Sequence, residues 1–191
     1  QKIVNGFDHR PHVSIVCNFT KPTKSKPSLL TFNEVKTLFH EFGHALHGML
    51  AKGNYESLSG TSVFWDFVEL PSQIFENWCY EKECLALFAK HYETGEVIPE
   101  SFIEKIKQAA NFQQGYQTVR QISFGLLDMD YHGTLPDEIG DISSFENKST
   151  ERTQLLPEVP GTLVSTSFSH IFRGGYSAGY YSYKWAEVLD A

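Results

Sequence analysis

Residues 38–50 read LFHEFGHALHGML, and three side chains in that run have the types and spacing for metal chemistry. On a helix, His40 and His44 project about 40° apart around the axis and one turn apart along it, so both imidazoles can reach one ion. Glu41 falls beside them, where a carboxylate can accept a proton from water held near that ion. Neutral imidazole nitrogens are good zinc ligands, and a catalytic site takes three protein ligands and leaves a position open. His47 lies on the same side of the helix but about 10 Å along the axis from His40, too far for one straight helix to bring all three to one ion. Packing, or support of a ligand, suits it better. A metzincin pattern would need Gly where His47 stands and His where Leu50 stands, so that subclass is excluded.

The third ligand must come from elsewhere, and Glu69 in WDFVELPSQ is the best candidate. A turn after the first helix, then a second helix starting near Asp66, would return Glu69 across the histidines. Asp66 is either a carboxylate orienting a ligand histidine or the cap of that second helix. Glu76, two turns beyond Glu69, reads as a solvated or paired carboxylate.

The elements that position these groups follow from local signals. Thr31 and Glu34 form a capping box, so the metal helix should run from about Phe32 to Ala51 and end at Gly53. A helical region over 66–92 is interrupted by Pro71, as a first-turn proline or a kink. Residues 99–131 carry two further helical stretches, with Ser101 and Glu104 spaced as another capping box. A loop-rich stretch over 132–161 surrounds one short helix near 141–151, and a glycine-containing loop over 168–177 opens a last helix through Leu189. Gly174 and Gly175 permit backbone angles other residues resist, so that loop is expected to move. Residues 13–19 (VSIVCNF) read as a short strand bounded by proline-containing segments. The fold class is mainly α with a small β element.

Composition narrows the function. The 191 residues are 41% hydrophobic and 14% aromatic, enough for a packed core. A net charge of −7 argues against a nucleic-acid surface, and no apolar run is long enough for a membrane span. Lys21, Lys24 and Lys26 belong to a solvated loop. The three cysteines, Cys17, Cys79 and Cys84, form no CxxC pair and read as free thiols of a reducing compartment. The chain opens without Met or a signal peptide and stops at Ala191 inside a helical pattern. Those ends suggest a piece of a longer chain, whose localisation is expected to be cytoplasmic.

Three motifs in order, FHEFGHALH, SGTSVFWDFVELPSQ and FSHIFRGGYSAGYYSYKWAEV, resemble the thimet oligopeptidase family of zinc peptidases, on its bacterial peptidyl-dipeptidase and oligopeptidase A side. The resemblance runs through nearly the whole chain and implies a zincin-like HExxH core of a neurolysin-like helical fold. Residues 1–191 would be the catalytic core of a chain several times longer. It implies one zinc ion on His40, His44 and Glu69, with Glu41 as general base. It also implies that Tyr176 and Tyr183 donate to the scissile carbonyl as it becomes an oxyanion, with His170 contacting peptide near the metal. Spacing alone reads Tyr176, Tyr180 and Tyr183 as one aromatic face of a helix, which fits core packing as well. Tyr180 is assigned to packing. Arg173 stands before the glycine pair where relatives tend to have a small residue, and is expected to face solvent.

The expected reaction is zinc-dependent hydrolysis of short peptides with release of C-terminal dipeptides, residues 13–19 pairing with extended substrate by an edge. An endo-acting oligopeptidase is the alternative, as is a fragment that binds zinc but cleaves poorly alone. A purely structural zinc module has no use for Glu41. The expected partners are peptide substrates and the remainder of the parent chain.

Overall fold

The computed structural model describes residues 2–4 and 6–191, and the described chain is mainly α with one small β element. It divides into two compact units, Gln1–Phe112 with Leu189–Ala191, and Gln113–Val188. No described helix is long and apolar enough to cross a membrane.

The first unit opens with an antiparallel hairpin, β1 (Lys2–Val4) and β2 (Phe7–His9), registered Lys2↔His9, Ile3↔Asp8 and Val4↔Phe7. Gly6, just before β2, adopts φ +83°, a conformation glycine takes without strain. The strand expected at 13–19 does not form. A strand needs a neighbour to satisfy its backbone ladder, and among the described residues none pairs with this segment. Side chains hold the region instead. Val13 lies against Gly48, and both the amide and hydroxyl of Thr20 donate to Glu34.

Helix α1 (Phe32–Leu50) starts where its capping box sets it: the Thr31 hydroxyl accepts from the Glu34 amide, and the Glu34 carboxylate accepts from the Thr31 amide at 2.7 Å. Those bonds, with the donors from Thr20, hold the Glu34 carboxyl down at about 2. After a 3₁₀ turn at Glu56–Leu58, the helical region expected over 66–92 is divided into α2 (Trp65–Val68), α3 (Leu70–Glu76), a 3₁₀ turn at Asn77–Tyr80 and α4 (Lys82–Phe88). Pro71 sits in the first turn of α3, where its missing N–H costs nothing. Helix α5 (Glu100–Ala110) is capped by Pro99, with no side-chain cap bond. The Ser101–Glu104 box therefore does not form, because the helix begins two residues earlier than that box requires.

Helix α1 packs on α3 through Gly43. A Cβ at Gly43 would meet the Ser72 Cα at 2.5 Å and the Pro71 carbonyl oxygen at 2.8 Å. The two backbones touch where no side chain intervenes. Phe39 and Phe42 flank this contact, Phe39 stacked on Phe75 at 5.4 Å and Phe42 tilted against it at 6.0 Å.

The second unit holds α6 (Gln114–Gly133), α7 (Pro136–Ile139), α8 (Ile142–Thr150), a 3₁₀ turn at Glu151–Thr153, α9 (Ser169–Phe172) and α10 (Ser182–Asp190), whose last two residues belong to the first unit. Its core is Leu127, Tyr131, Phe168 and Ile171, with Phe124, Phe145, Tyr176 and Tyr180 packed against it. Asp141 caps α8 by accepting from the Ser144 amide at 2.8 Å.

Gly43→Ala is expected to destabilise the chain by about 1–3 kcal/mol, the usual cost of forcing extra volume into a packed contact. Chemical denaturation of the metal-free protein reads this directly. An unchanged midpoint would mean that α1 and α3 do not meet at Gly43.

Candidate metal centre

Glu69 occupies the joint between α2 and α3, as the C-cap of one and the N-cap of the next. Because Gly43 admits α3 so closely, the Glu69 side chain reaches the histidine face of α1. Its Oε2 lies 3.2 Å from His40 Nε2 and 3.3 Å from His44 Nε2. Two ligands 2.0–2.1 Å from an ion at a tetrahedral angle stand about 3.3 Å apart, so these spacings fit one small divalent ion. The three ligand atoms lie within 4.8 Å of one another, and no other such group occurs among the described residues. Two imidazole nitrogens and a carboxylate are a fitting donor set. Glu69 is 1% exposed, while the His40 and His44 side chains are 21% and 22% exposed, so the group is closed behind and accessible in front.

Two of the three donors, Glu69 and His40, are braced. Ser72, one turn after Glu69 and fully buried, places its hydroxyl 2.8 Å from the Glu69 carbonyl and 3.0 Å from Oε2. His40 Nδ1 lies 2.7 Å from Glu76 Oε1, and Lys36 Nζ lies 2.7 Å from Glu76 Oε2. A carboxylate on the far ring nitrogen fixes the tautomer and leaves Nε2 as the ligand atom. The sequence reading missed Ser72; for Glu76 it allowed a paired carboxylate, which Glu76 is, without naming His40 as the partner. The signal for Glu76 was present: two helical turns past Glu69 is the same face.

Asp66 does neither of the things expected of it. Phe64 takes the cap position and Asp66 lies inside the first turn of α2. His40 Nδ1 is on Glu76, and His44 Nδ1 is buried without a hydrogen-bond partner. His47 stays out of the metal group and packs edge-on against Phe67 at 6.2 Å; burial and the neighbouring His44 both lower its pKa. Glu41 lies half-buried on the same helix. Cys17 is close enough to feel it: burial first, then the Glu41 charge, push the thiol up. All three cysteines are free.

The electrostatics of the metal-free group are specific. Burial works against a charged His40, but the hydrogen bonds it donates to Glu69 and Glu76 outweigh it and hold the ring up at about 9. Burial likewise raises Glu76, and its bonds to His40 and Lys36 reverse that into a net lowering. His40 thus sits raised above its usual 6.5. In the metal-free chain its contribution to stability is complete below that value and is lost as pH rises through about 9.

In the second unit His170, Tyr176 and Tyr183 gather in one cluster. The Tyr176 and Tyr183 rings stack at 5.3 Å, and His170 lies 6.1 Å from Tyr176 and 5.9 Å from Tyr180. The cause is not the one expected. Tyr176 and Tyr180 precede α10, so the three tyrosines do not share a helical face. A turn brings them together, with Gly175 at φ +89° and Ala178 at φ +53°. Tyr180 packs against Phe124 and Phe168 in the core, as expected of it, and Arg173 is exposed.

A helical chain with an HExxH helix and a buried glutamate brought to its two histidines has the arrangement of a metallopeptidase core. The comparisons agree: the model of peptidase family M3 matches residues 2–191, and the chain belongs to that family. It is 48% identical over 183 residues to the probable cytosolic oligopeptidase A of Arabidopsis thaliana, covering 95% of this chain and 26% of that protein. Against oligopeptidase A of Escherichia coli the identity is 45%, over 98% of this chain and 28% of the relative. Against the dipeptidyl carboxypeptidase of the same organism it is 42%, over 94% and 27%. The chain therefore spans about a quarter of the length of the curated relatives it matches.

Because His40 binds its proton up to about pH 9, filling the site at pH 7 should release at least one proton per ion. Calorimetric titration with a divalent metal in two buffers of different ionisation enthalpy measures that release. Identical heats would contradict it. Glu76→Gln should weaken metal affinity by about 10–100-fold, the usual effect of losing such a partner.

Proposed function

We propose that the protein is a zinc-dependent peptidase that hydrolyses short peptides, with zinc on His40, His44 and Glu69. The observation that carries this reading is the convergence of His40 Nε2, His44 Nε2 and Glu69 Oε2 beside Glu41 on the same helix. Zinc bound there supplies Lewis acidity, polarising a carbonyl and lowering the pKa of water. Glu41 accepts a proton from the attacking water and returns it to the amine that leaves when the C–N bond breaks. Glu69 and Glu76 hold the two faces of His40, and Ser72 holds Glu69, so the ligand set is in place before substrate arrives.

His170, Tyr176 and Tyr183 are assigned to the substrate carbonyl by their match to the family's glycine-tyrosine motif. A hydroxyl donor aimed at the position where negative charge develops stabilises the transition state more than the ground state.

Release of C-terminal dipeptides is the mode proposed, after the relative named dipeptidyl carboxypeptidase. The relatives named oligopeptidase A support internal cleavage as the second reading. The remainder of a longer chain is proposed as a partner. The relatives are about three and a half times as long, and the first unit leaves Val16, Phe64 and Leu87 at 86%, 88% and 77% exposure. Three free thiols and a relative named cytosolic support a cytoplasmic setting.

Three substitutions in the full-length protein test the assignments. Glu69→Ala should lose zinc to a mild chelator, since two histidines leave an ion mostly hydrated; full retention would misplace the third ligand. Glu41→Gln should keep zinc and lose at least ~100-fold in activity. For Tyr183→Phe the expected loss is about 2–4 kcal/mol of transition-state stabilisation, felt in kcat more than in KM. An unchanged kcat would return Tyr183 to the aromatic core.

A further inference from the structure

Asp128 is fully buried in α6, and none of the steps above uses it. Its Oδ1 accepts the backbone N–H of Ala178 and its Oδ2 accepts that of Tyr180, each at 2.9 Å. His132, one turn further along α6, places Nδ1 2.8 Å from Oδ1 and 2.9 Å from the Asp128 carbonyl. The carboxyl group is thereby matched to three donors, two of them on the segment that joins α9 to α10.

That segment is fastened at both ends. On entry it is tied to α9: the Gly174 amide donates to the Ser169 and His170 carbonyls, the Tyr176 amide to His170 at 3.1 Å, and the Ser177 hydroxyl to Ile171. Gly174 allows this closeness, since a Cβ there would meet the His170 backbone at 2.7 Å. On exit it is tied to Asp128. Between the two ties lies Ala178 in the left-handed region, at φ +53°, where a residue with a Cβ is disfavoured and must be held. Tyr176 stands on one side of that residue and Tyr183 beyond it, their rings stacked within 20° of parallel.

We propose that Asp128 is a positioning residue for the reaction: by holding the Ala178 and Tyr180 amides it fixes the turn that presents Tyr176 and Tyr183. The proposal rests on the assignment of those tyrosines to substrate. An asparagine at 128 keeps the volume but can accept with only one of its two terminal atoms, so one backbone N–H must face an NH₂ group instead.

The test is a double-mutant cycle in the full-length enzyme, with Asp128→Asn and Tyr183→Phe made singly and together. Kinetics on a short peptide are read beside zinc content and amide exchange at Ala178 and Tyr180. For Asp128→Asn we expect faster exchange at those two amides, unchanged zinc, kcat lower by about tenfold or more, and little change in KM. In the Tyr183→Phe background the same substitution should cost no more than about twofold, because its effect runs through the tyrosine. Fully multiplicative losses, or a normal kcat in Asp128→Asn, would overturn the proposal. An unchanged kcat in Tyr183→Phe would overturn the tyrosine assignment and this inference with it; a loss there with no coupling to Asp128 removes this inference alone. If Asp128→Asn does not fold, His132→Ala removes one donor and leaves both backbone bonds. It should then lower kcat a few-fold, again only where Tyr183 is present, and a loss equal in both backgrounds would overturn the proposal.

Discussion

Burying the Glu69 carboxylate against two imidazoles is the constraint on which the first unit depends. A carboxylate at 1% exposure is stable only where its charge is answered. His40, His44 and Ser72 answer it on three sides. This arrangement requires the backbone of α3 to lie directly on α1, and Gly43 is the residue that permits it. The glycine between the motif's histidines is thus part of the metal group, although it ligates nothing. The break between α2 and α3 has the same origin. A continuous helix through 65–76 would set the direction of the Glu69 side chain by helical periodicity alone, whereas the joint lets Glu69 face α1.

The charge ladder on α1 extends the same logic outward. Lys36, His40 and His44 are spaced four residues apart, and Glu76 bridges the first two. Lys36 answers one Glu76 oxygen and leaves the other for His40 Nδ1, so the ring is aimed by a carboxylate that is itself held. Burial lowers the Lys36 pKa and its bonds to Glu76 more than restore it, so this cation remains charged beside the site. Such a ladder holds His40 with its Nε2 toward Glu69, and it costs little to assemble because every member lies on one of two adjoining helices.

What the sequence disclosed tracks how local the governing interaction is. The capping box of Thr31 and Glu34 lies within four residues, and the helix begins where it says. The histidine spacing is a property of one helix, and Glu69 could be placed by asking what reaches that helix next. Competition defeated other local signals. Ser101 and Glu104 have the right spacing, but Pro99 fixes the start of α5 first. Residues 13–19 have strand composition, but a ladder needs a neighbour that composition cannot supply. The tyrosines came together for a reason outside their spacing, since Ala178 turns the chain and a carboxylate fifty residues earlier holds the turn. The part of orienting His40, considered for Asp66, falls to Glu76, because which carboxylate meets His40 Nδ1 depends on the joint at Glu69.

The two units solve a similar problem in different ways. In the first, a buried carboxylate is matched to side-chain nitrogens and so becomes available to a metal ion. In the second, the buried carboxylates of Asp128 and Glu146 are matched to backbone amides. Glu146 accepts from Val164 and Ser165 at 2.8 Å, and Asp128 accepts from Ala178 and Tyr180. A carboxylate that accepts backbone amides on both of its oxygens fixes the loop that donates them. Both loops so fixed flank Phe168, Ile171 and the segment carrying His170 and Tyr176, a stretch whose glycines leave it little rigidity of its own. Its order is therefore imported from α6 and α8, through groups too far away in sequence for any local pattern to announce them.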